Sequence, residues 1–94
     1  MKIRDTNTRK LIFDRSGLIA FSVQLKKLRH EAGVSQSQLA YEAGISLSQI
    51  ARIETVRINP TLSTVFAIAR ALDIPLTTIF NFSLSDEKKT EKYF

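Results

Sequence analysis

A chain of 94 residues is long enough for one domain with a modest core and too short for two. It contains no cysteine, which excludes a disulfide framework and a cysteine-based zinc site and makes a reducing cytoplasm the simplest expected location. The formal charge is +5, from 14 basic and 9 acidic side chains, and it is unevenly placed. Between residues 1 and 30, Lys2, Arg4, Arg9, Lys10, Arg15, Lys26, Lys27 and Arg29 are opposed only by Asp5 and Asp14. Such a bias suits a polyanionic partner, since cations near phosphates gain affinity by releasing condensed counterions. A solvated basic surface is the competing reading.

The first fifteen residues, MKIRDTNTRKLIFDR, show no sustained period. Leu18, Phe21, Leu25, Leu28 and Ala32 then recur at steps of three and four, the stripe of an amphipathic helix over about 18–32 that stops at Gly33. The apolar stretch Leu18-Ile19-Ala20-Phe21 is broken by Ser22 and Gln24, too short for a signal segment or a membrane span. Ser35 with Gln38 forms a capping box that opens a second, short helix ended by Gly44. Ser46 with Gln49 repeats the box, and Ile50 and Ile53 continue it at helical spacing, which predicts a third helix over 46–54.

Asn59-Pro60 breaks the pattern. Thr61 can cap a fourth helix with Leu62, Val65, Phe66, Ala69 and Leu72 inward. After the break at Asp73-Ile74-Pro75, the residues Leu76, Ile79 and Phe80 fit a short fifth helix. No stretch alternates well enough to be read as a strand, and the charged end SDEKKTEKYF reads as a frayed tail. The expected organisation is a basic arm over 1–15, an all-α domain over 16–82 and a charged tail over 83–94.

The second and third helices carry a physical requirement. If they cross steeply over a few residues of turn, the chain must reverse after Ala43, and Gly44 tolerates the positive φ this demands. Close approach of the axes leaves room for only a methyl, supplied by Ala40. Ile50 is then the apolar knob of the third helix. That spacing defines a helix-turn-helix.

The segment VSQSQLAYEAGISLSQIARIE resembles the helix-turn-helix of the Cro and phage-repressor family of DNA-binding domains, the xenobiotic-response-element type. The likeness runs on through NPTLSTVFAIARALDIPLTTIF, covering about residues 18–82. It implies a five-helix, lambda-repressor-like fold whose third helix lies in the DNA major groove, with dimers on half-sites roughly 34 Å apart.

By resemblance, Gln36 and Ser46 correspond to phosphate-bonding positions and Leu47, Ser48 and Arg52 to positions facing base edges. Arg29 and Glu54 match a pair that ties the first helix to the end of the third by an internal salt bridge. Where many members have a glycine after the recognition helix, this chain has Val56 in ETVRINP. The shape of that loop, and with it the reach of Arg57 and Asn59 to phosphate, is left open by this departure.

Residues 47, 48 and 52 are read as lying opposite Ile50 and Ile53, facing a groove. Arg52 can donate a bidentate pair to guanine, Ser48 can bond several bases, and Leu47 offers apolar contact to a thymine methyl. The bland alternatives are a solvated Arg52 and a Leu47 half tucked into the domain. His30, the lone histidine, has no cysteine partner and reads as a surface residue. The serines at 35, 37, 46 and 48 have no histidine-aspartate setting, and the three glycines form no phosphate loop. Neither an enzyme nor a metal site nor a cofactor is expected.

Two functional classes follow. One is a sequence-specific regulator, a small homodimeric repressor on double-stranded DNA. The other is an antitoxin-like interaction module that neutralises a partner protein, with or without promoter binding. The arm over residues 2–15 could neutralise phosphates or serve as a solubilising extension, while Leu11-Ile12-Phe13 argues that part of it packs on something. Phe80 and Phe82 could likewise be covered within one chain or in a dimer. The remaining length has no room for an effector domain, so no small-molecule ligand and no membrane contact are expected.

Overall fold

Asp14 sets where the helical part of the chain begins. In the computed structural model, which describes residues 11–84 and 92–93, its carboxylate accepts from the Gly17 backbone N–H at 3.0 Å and from the Ser16 hydroxyl at 3.1 Å. α1 therefore runs Arg15–Glu31, starting about a turn before the apolar stripe predicts, because that first turn is held by a cap and contributes nothing to the stripe. α2 spans Gln36–Ala43, α3 Leu47–Glu54, α4 Leu62–Leu72 and α5 Leu76–Ile79. The fold is all-α, with five helices in a lambda-repressor-like arrangement.

The side chains of Ser35, Ser46 and Thr61 accept from the backbone N–H groups of Gln38, Gln49 and Thr64, each satisfying a donor that the first helical turn leaves without a partner. α2 packs against both α3 and α4, while α1 lies on α3 and α5. The core gathers Phe21 and Leu25 from α1, Leu39 and Ala40 from α2, Ile50 and Ile53 from α3, Val65, Ile68 and Ala69 from α4, and Ile79 from α5. α1 and α5 are also tied by a hydrogen bond from the Gln24 side-chain amide to the Thr78 carbonyl at 2.8 Å.

The buried face of α4 is rotated from the expected one. Val65, Ile68 and Ala69 are buried, whereas Leu62 is 65% and Phe66 36% exposed. α4 is apolar around most of its circumference, so periodicity does not choose a face; packing on α2 does. Within and after α5, Ile79 is fully buried, while Leu76 and Phe80 keep about two fifths of their surface (43% and 41%). Phe80 and Phe82 form a cluster with Phe21, ring centroids 5.8 to 6.5 Å apart.

Two short strands, β1 (Leu11–Ile12) and β2 (Lys92–Tyr93), pair antiparallel with Leu11 opposite Tyr93 and Ile12 opposite Lys92. The absence of strands read from the sequence is corrected here. Two-residue strands are too short to leave an alternation, and their partners come from opposite ends of the chain. The basic residues Lys2, Arg4, Arg9 and Lys10 of the arm lie outside the described residues, as does most of the tail after Leu84.

Four helices end in the same way. Gly33, Gly44, Val56 and Asp73 adopt the left-handed conformation, with φ of 73°, 74°, 59° and 56°. The residue following each bonds back to the carbonyl five positions earlier: Val34 to Arg29, Ile45 to Ala40, Arg57 to Arg52 and Ile74 to Ala69, at 2.8 to 3.3 Å. This is the Schellman closure, which satisfies carbonyls left free at a helix end. Val34, Ile45 and Ile74 then turn onto the core, whereas Arg57 is exposed. The loop after α3 thus closes like those after α1 and α2, although a β-branched residue occupies the position that favours glycine.

Two stability changes follow. Ala40 is 3% exposed within the core, so Ala40→Val overfills the space between helices and is expected to cost about 1 to 3 kcal/mol. An unchanged thermal midpoint would show that the crossing has spare room. Val56→Gly relieves the left-handed strain and is expected to stabilise by about 1 kcal/mol after the added unfolded-state entropy is subtracted. Thermal melts followed by circular dichroism should rise by roughly 4 °C or more, and a fall would mean that packing by the Val56 side chain outweighs the strain.

Candidate nucleic-acid interface

α3 is a two-faced helix. Ile50, Ile53 and Glu54 are buried, Ser48 and Arg52 are exposed on the other side, and Gln49 is exposed at the border beside Ile53. Leu47 is 47% exposed and does not lie opposite Ile50: three residues of helix place it only about 60° away, at the border of the buried face. Ser48 and Arg52 do lie opposite. Its exposed part leaves Leu47 at the N-terminal edge of the surface, beside the cap Ser46.

Gln49 joins that surface, although the sequence reading used it only as the partner of Ser46 in a capping box. Its backbone N–H bonds the Ser46 hydroxyl oxygen at 3.1 Å, while its side chain is exposed one residue from Ser48 and three from Arg52. The helical wheel carries no such signal, since four residues of helix place Gln49 only about 40° from the buried Ile53; the exposure of its carboxamide side chain is what brings it to this surface. Such a group can pair with adenine as Arg52 can with guanine.

The cap geometry also defines what Ser46 can do. Its oxygen accepts from Gln49, so the hydroxyl retains a proton to donate outward. Ser35 holds the same arrangement at the start of α2, at 3.0 Å from the Gln38 nitrogen. Gln36, half-buried in the first turn of α2, donates its side-chain amide to Glu54 at 2.8 Å. Arg57 and Asn59 are exposed in the loop after α3.

Charge is arranged with the same asymmetry. Glu54 is the single acidic residue of α3, and it is buried and paired with Arg29: Nε to Oε2 at 2.7 Å and Nη2 to Oε1 at 3.0 Å. Arg29 donates further to the Val34 carbonyl at 3.0 Å. The exposed face of α3 therefore carries Arg52, with Arg57 beyond it, and no free carboxylate of its own. Ala40, Gly44 and Ile50 hold this face in place: Ala40 and Ile50 are buried in the core, and Gly44 makes the left-handed turn between α2 and α3.

Among the described residues no group of three or more His, Cys, Asp or Glu side chains could hold a metal ion, and no helix there is long and apolar enough to cross a membrane. His30 is exposed, with one ring nitrogen 3.4 Å from an Arg29 guanidinium nitrogen.

Comparison with known proteins gives this geometry a family. Residues 20–79 match the model of the helix-turn-helix domain. The chain is similar to the restriction-modification controller protein C.AhdI from Aeromonas hydrophila, with 33% identity and a TM-score of 0.65, over 67% of this chain and 96% of that one. It is also similar to the wild-type restriction-modification controller protein C.Esp1396I, with 29% identity and a TM-score of 0.66, over 69% of this chain and 83% of that one. A variant of that controller has been solved on its highest-affinity operator site. A third similar structure, an HTH_3 family transcriptional regulator from Vibrio cholerae, shares 29% identity at a TM-score of 0.69, over 72% of this chain and 38% of that one. No curated protein sequence matches the chain. With a family model covering well over half its length and a controller protein matched across nearly that protein's whole extent, the chain belongs to the helix-turn-helix domain family, as a DNA-binding transcriptional regulator.

Proposed function

We propose that the protein is a small homodimeric repressor that reads a two-part operator with α3 in the major groove. The observation that carries this reading is the amphipathicity of α3: a short helix buries Ile50, Ile53 and a neutralised Glu54 and presents Ser48, Gln49 and Arg52 outward. Arg52 pairs with a guanine edge, Ser48 bonds an adjacent base, and Leu47 reaches a thymine methyl from the edge of the face. Gln36, Ser46, Arg57 and Asn59 meet phosphates and fix the register of the helix without reading sequence. The operator-bound structure of the similar controller protein supports DNA of this kind as the partner.

Dimerisation is supported by apolar surface away from that face. Leu62, Phe66, Leu76 and Phe80 are all at least a third exposed on or beside α4 and α5, apolar surface of the kind a second copy can cover. A second copy would place the two recognition helices on half-sites about one turn, roughly 34 Å, apart. The arm over residues 2–15 adds phosphate contacts that are indifferent to sequence. An antitoxin-like association with another protein is the alternative when no preferred duplex is found.

The test is a fluorescence-anisotropy titration, across several salt concentrations, against the duplex upstream of the protein's own gene and a shuffled copy. Preference for the native duplex with saturation at two chains per site is the expected result. Equal, weak and steeply salt-dependent binding to both would count against the reading and turn attention to a protein partner. Arg52→Ala should cost about 1 to 3 kcal/mol on the preferred duplex and much less on the shuffled one; equal losses would remove Arg52 as a base reader. Alanine at Lys2, Arg4 and Arg9 together should weaken both duplexes alike and flatten the dependence on salt.

A further inference from the structure

The Glu54 carboxylate takes three hydrogen bonds, two from Arg29 and one from the Gln36 amide. Arg29 and Glu54 are 8% and 4% exposed, yet Gln36, the third member, is half-buried in the first turn of α2. The network thus reaches from the interior to the surface through one side chain. A carboxylate only accepts, so it dictates which end of the Gln36 carboxamide faces it. The nitrogen must point to Glu54, and one of its two N–H groups remains for an outside acceptor.

We propose that Glu54 is a positioning residue for DNA: through its bond to Gln36 it holds the amide so that the second N–H is presented to a backbone phosphate. This rests on the reading of the protein as a DNA-binding regulator. Arg29 completes the device by cancelling the Glu54 charge, which lets an anion serve as an anchor close to a polyanion. Without the carboxylate the amide can rotate, and half of its orientations turn an oxygen lone pair toward the phosphate.

The proposal is tested by a sign. If Glu54 acted on DNA only through its charge, Glu54→Gln would remove a repulsion and tighten binding. The positioning role requires the opposite. On the upstream duplex and its shuffled copy alike, Glu54→Gln and Gln36→Ala should each weaken binding by roughly tenfold, the worth of one hydrogen bond to a charged group. In the Gln36→Ala background, Glu54→Gln should cause no further loss. Tighter or unchanged binding by Glu54→Gln, or full additivity of the two losses, overturns the proposal.

Because Glu54→Gln leaves a buried guanidinium partly unpaired and can compromise folding, circular dichroism accompanies each titration. A measurement on the unaltered chain stands beside it. The two Gln36 side-chain amide protons should resonate apart by NMR, one shifted by the carboxylate, and the pair should move when the shuffled duplex is added. Amide signals that are degenerate and insensitive to DNA would overturn the proposal while leaving binding itself intact. Failure of the unaltered protein to bind either duplex would instead overturn the DNA-binding reading, and the positioning role with it.

Discussion

The left-handed turn at Gly44 is the constraint on which the remaining structure depends. It reverses the chain between α2 and α3 within three residues and brings Ile50 into the same core as Leu39 and Ala40. Once that crossing is made, one side of α3 is committed to the interior and the other can only face outward. The surface of Ser48, Gln49 and Arg52 follows from packing before any ligand is considered. A face held rigid in this way would lose little conformational freedom on meeting a ligand, which favours affinity through preorganisation.

The buried pair of Arg29 and Glu54 adds orientation to that packing. Replacing such a pair by apolar residues is often neutral for stability, whereas breaking it is costly. Its value here is therefore better sought in what it arranges. It links the end of α1 to the last residue of α3, receives Gln36 from α2, and fixes the loop after α1 through the Val34 carbonyl. Three helices meet at a single carboxylate, and the loop after α1 joins them through Arg29. The pairing also hides the one negative charge of α3, so that its exposed side is left with a cation and neutral polar groups.

Helix ends form a second organising theme. Four of the five helices close with a left-handed residue, and after three of them the chain drops an apolar side chain onto the core. The ending of α3 departs from the pattern twice: Val56 adopts a conformation that suits glycine, and an exposed Arg57 stands where the others bury valine or isoleucine. Strain and an outward cation at the end of α3 fit a segment shaped for a partner more than for the core.

Much of this was legible in the residues themselves. Ser35, Ser46 and Thr61 mark helix starts because capping is local chemistry, and Gly33 and Gly44 mark ends because few other residues accept positive φ. The amphipathic period of α1 and the spacing of Ala40, Gly44 and Ile50 carry the crossing for the same reason. What the sequence could not decide were matters of relative placement. The buried face of the largely apolar α4, the left-handed Val56 and the pairing of β1 with β2 depend on neighbours distant in the chain or on energies offset elsewhere, whereas the added turn at Asp14 rests on a local cap that leaves no apolar period. The helical period alone puts Leu47 at the border of the buried face, whereas the exposure of Gln49, about 40° from Ile53, is set by how α3 packs. The sequence by itself determined where most of the helices begin and end and that two of them form a helix-turn-helix, because those signals act over a few residues. Tertiary structure alone decided which faces are spent on the core, and that Gln36 is joined to the buried carboxylate of Glu54, because both depend on how separate helices come together.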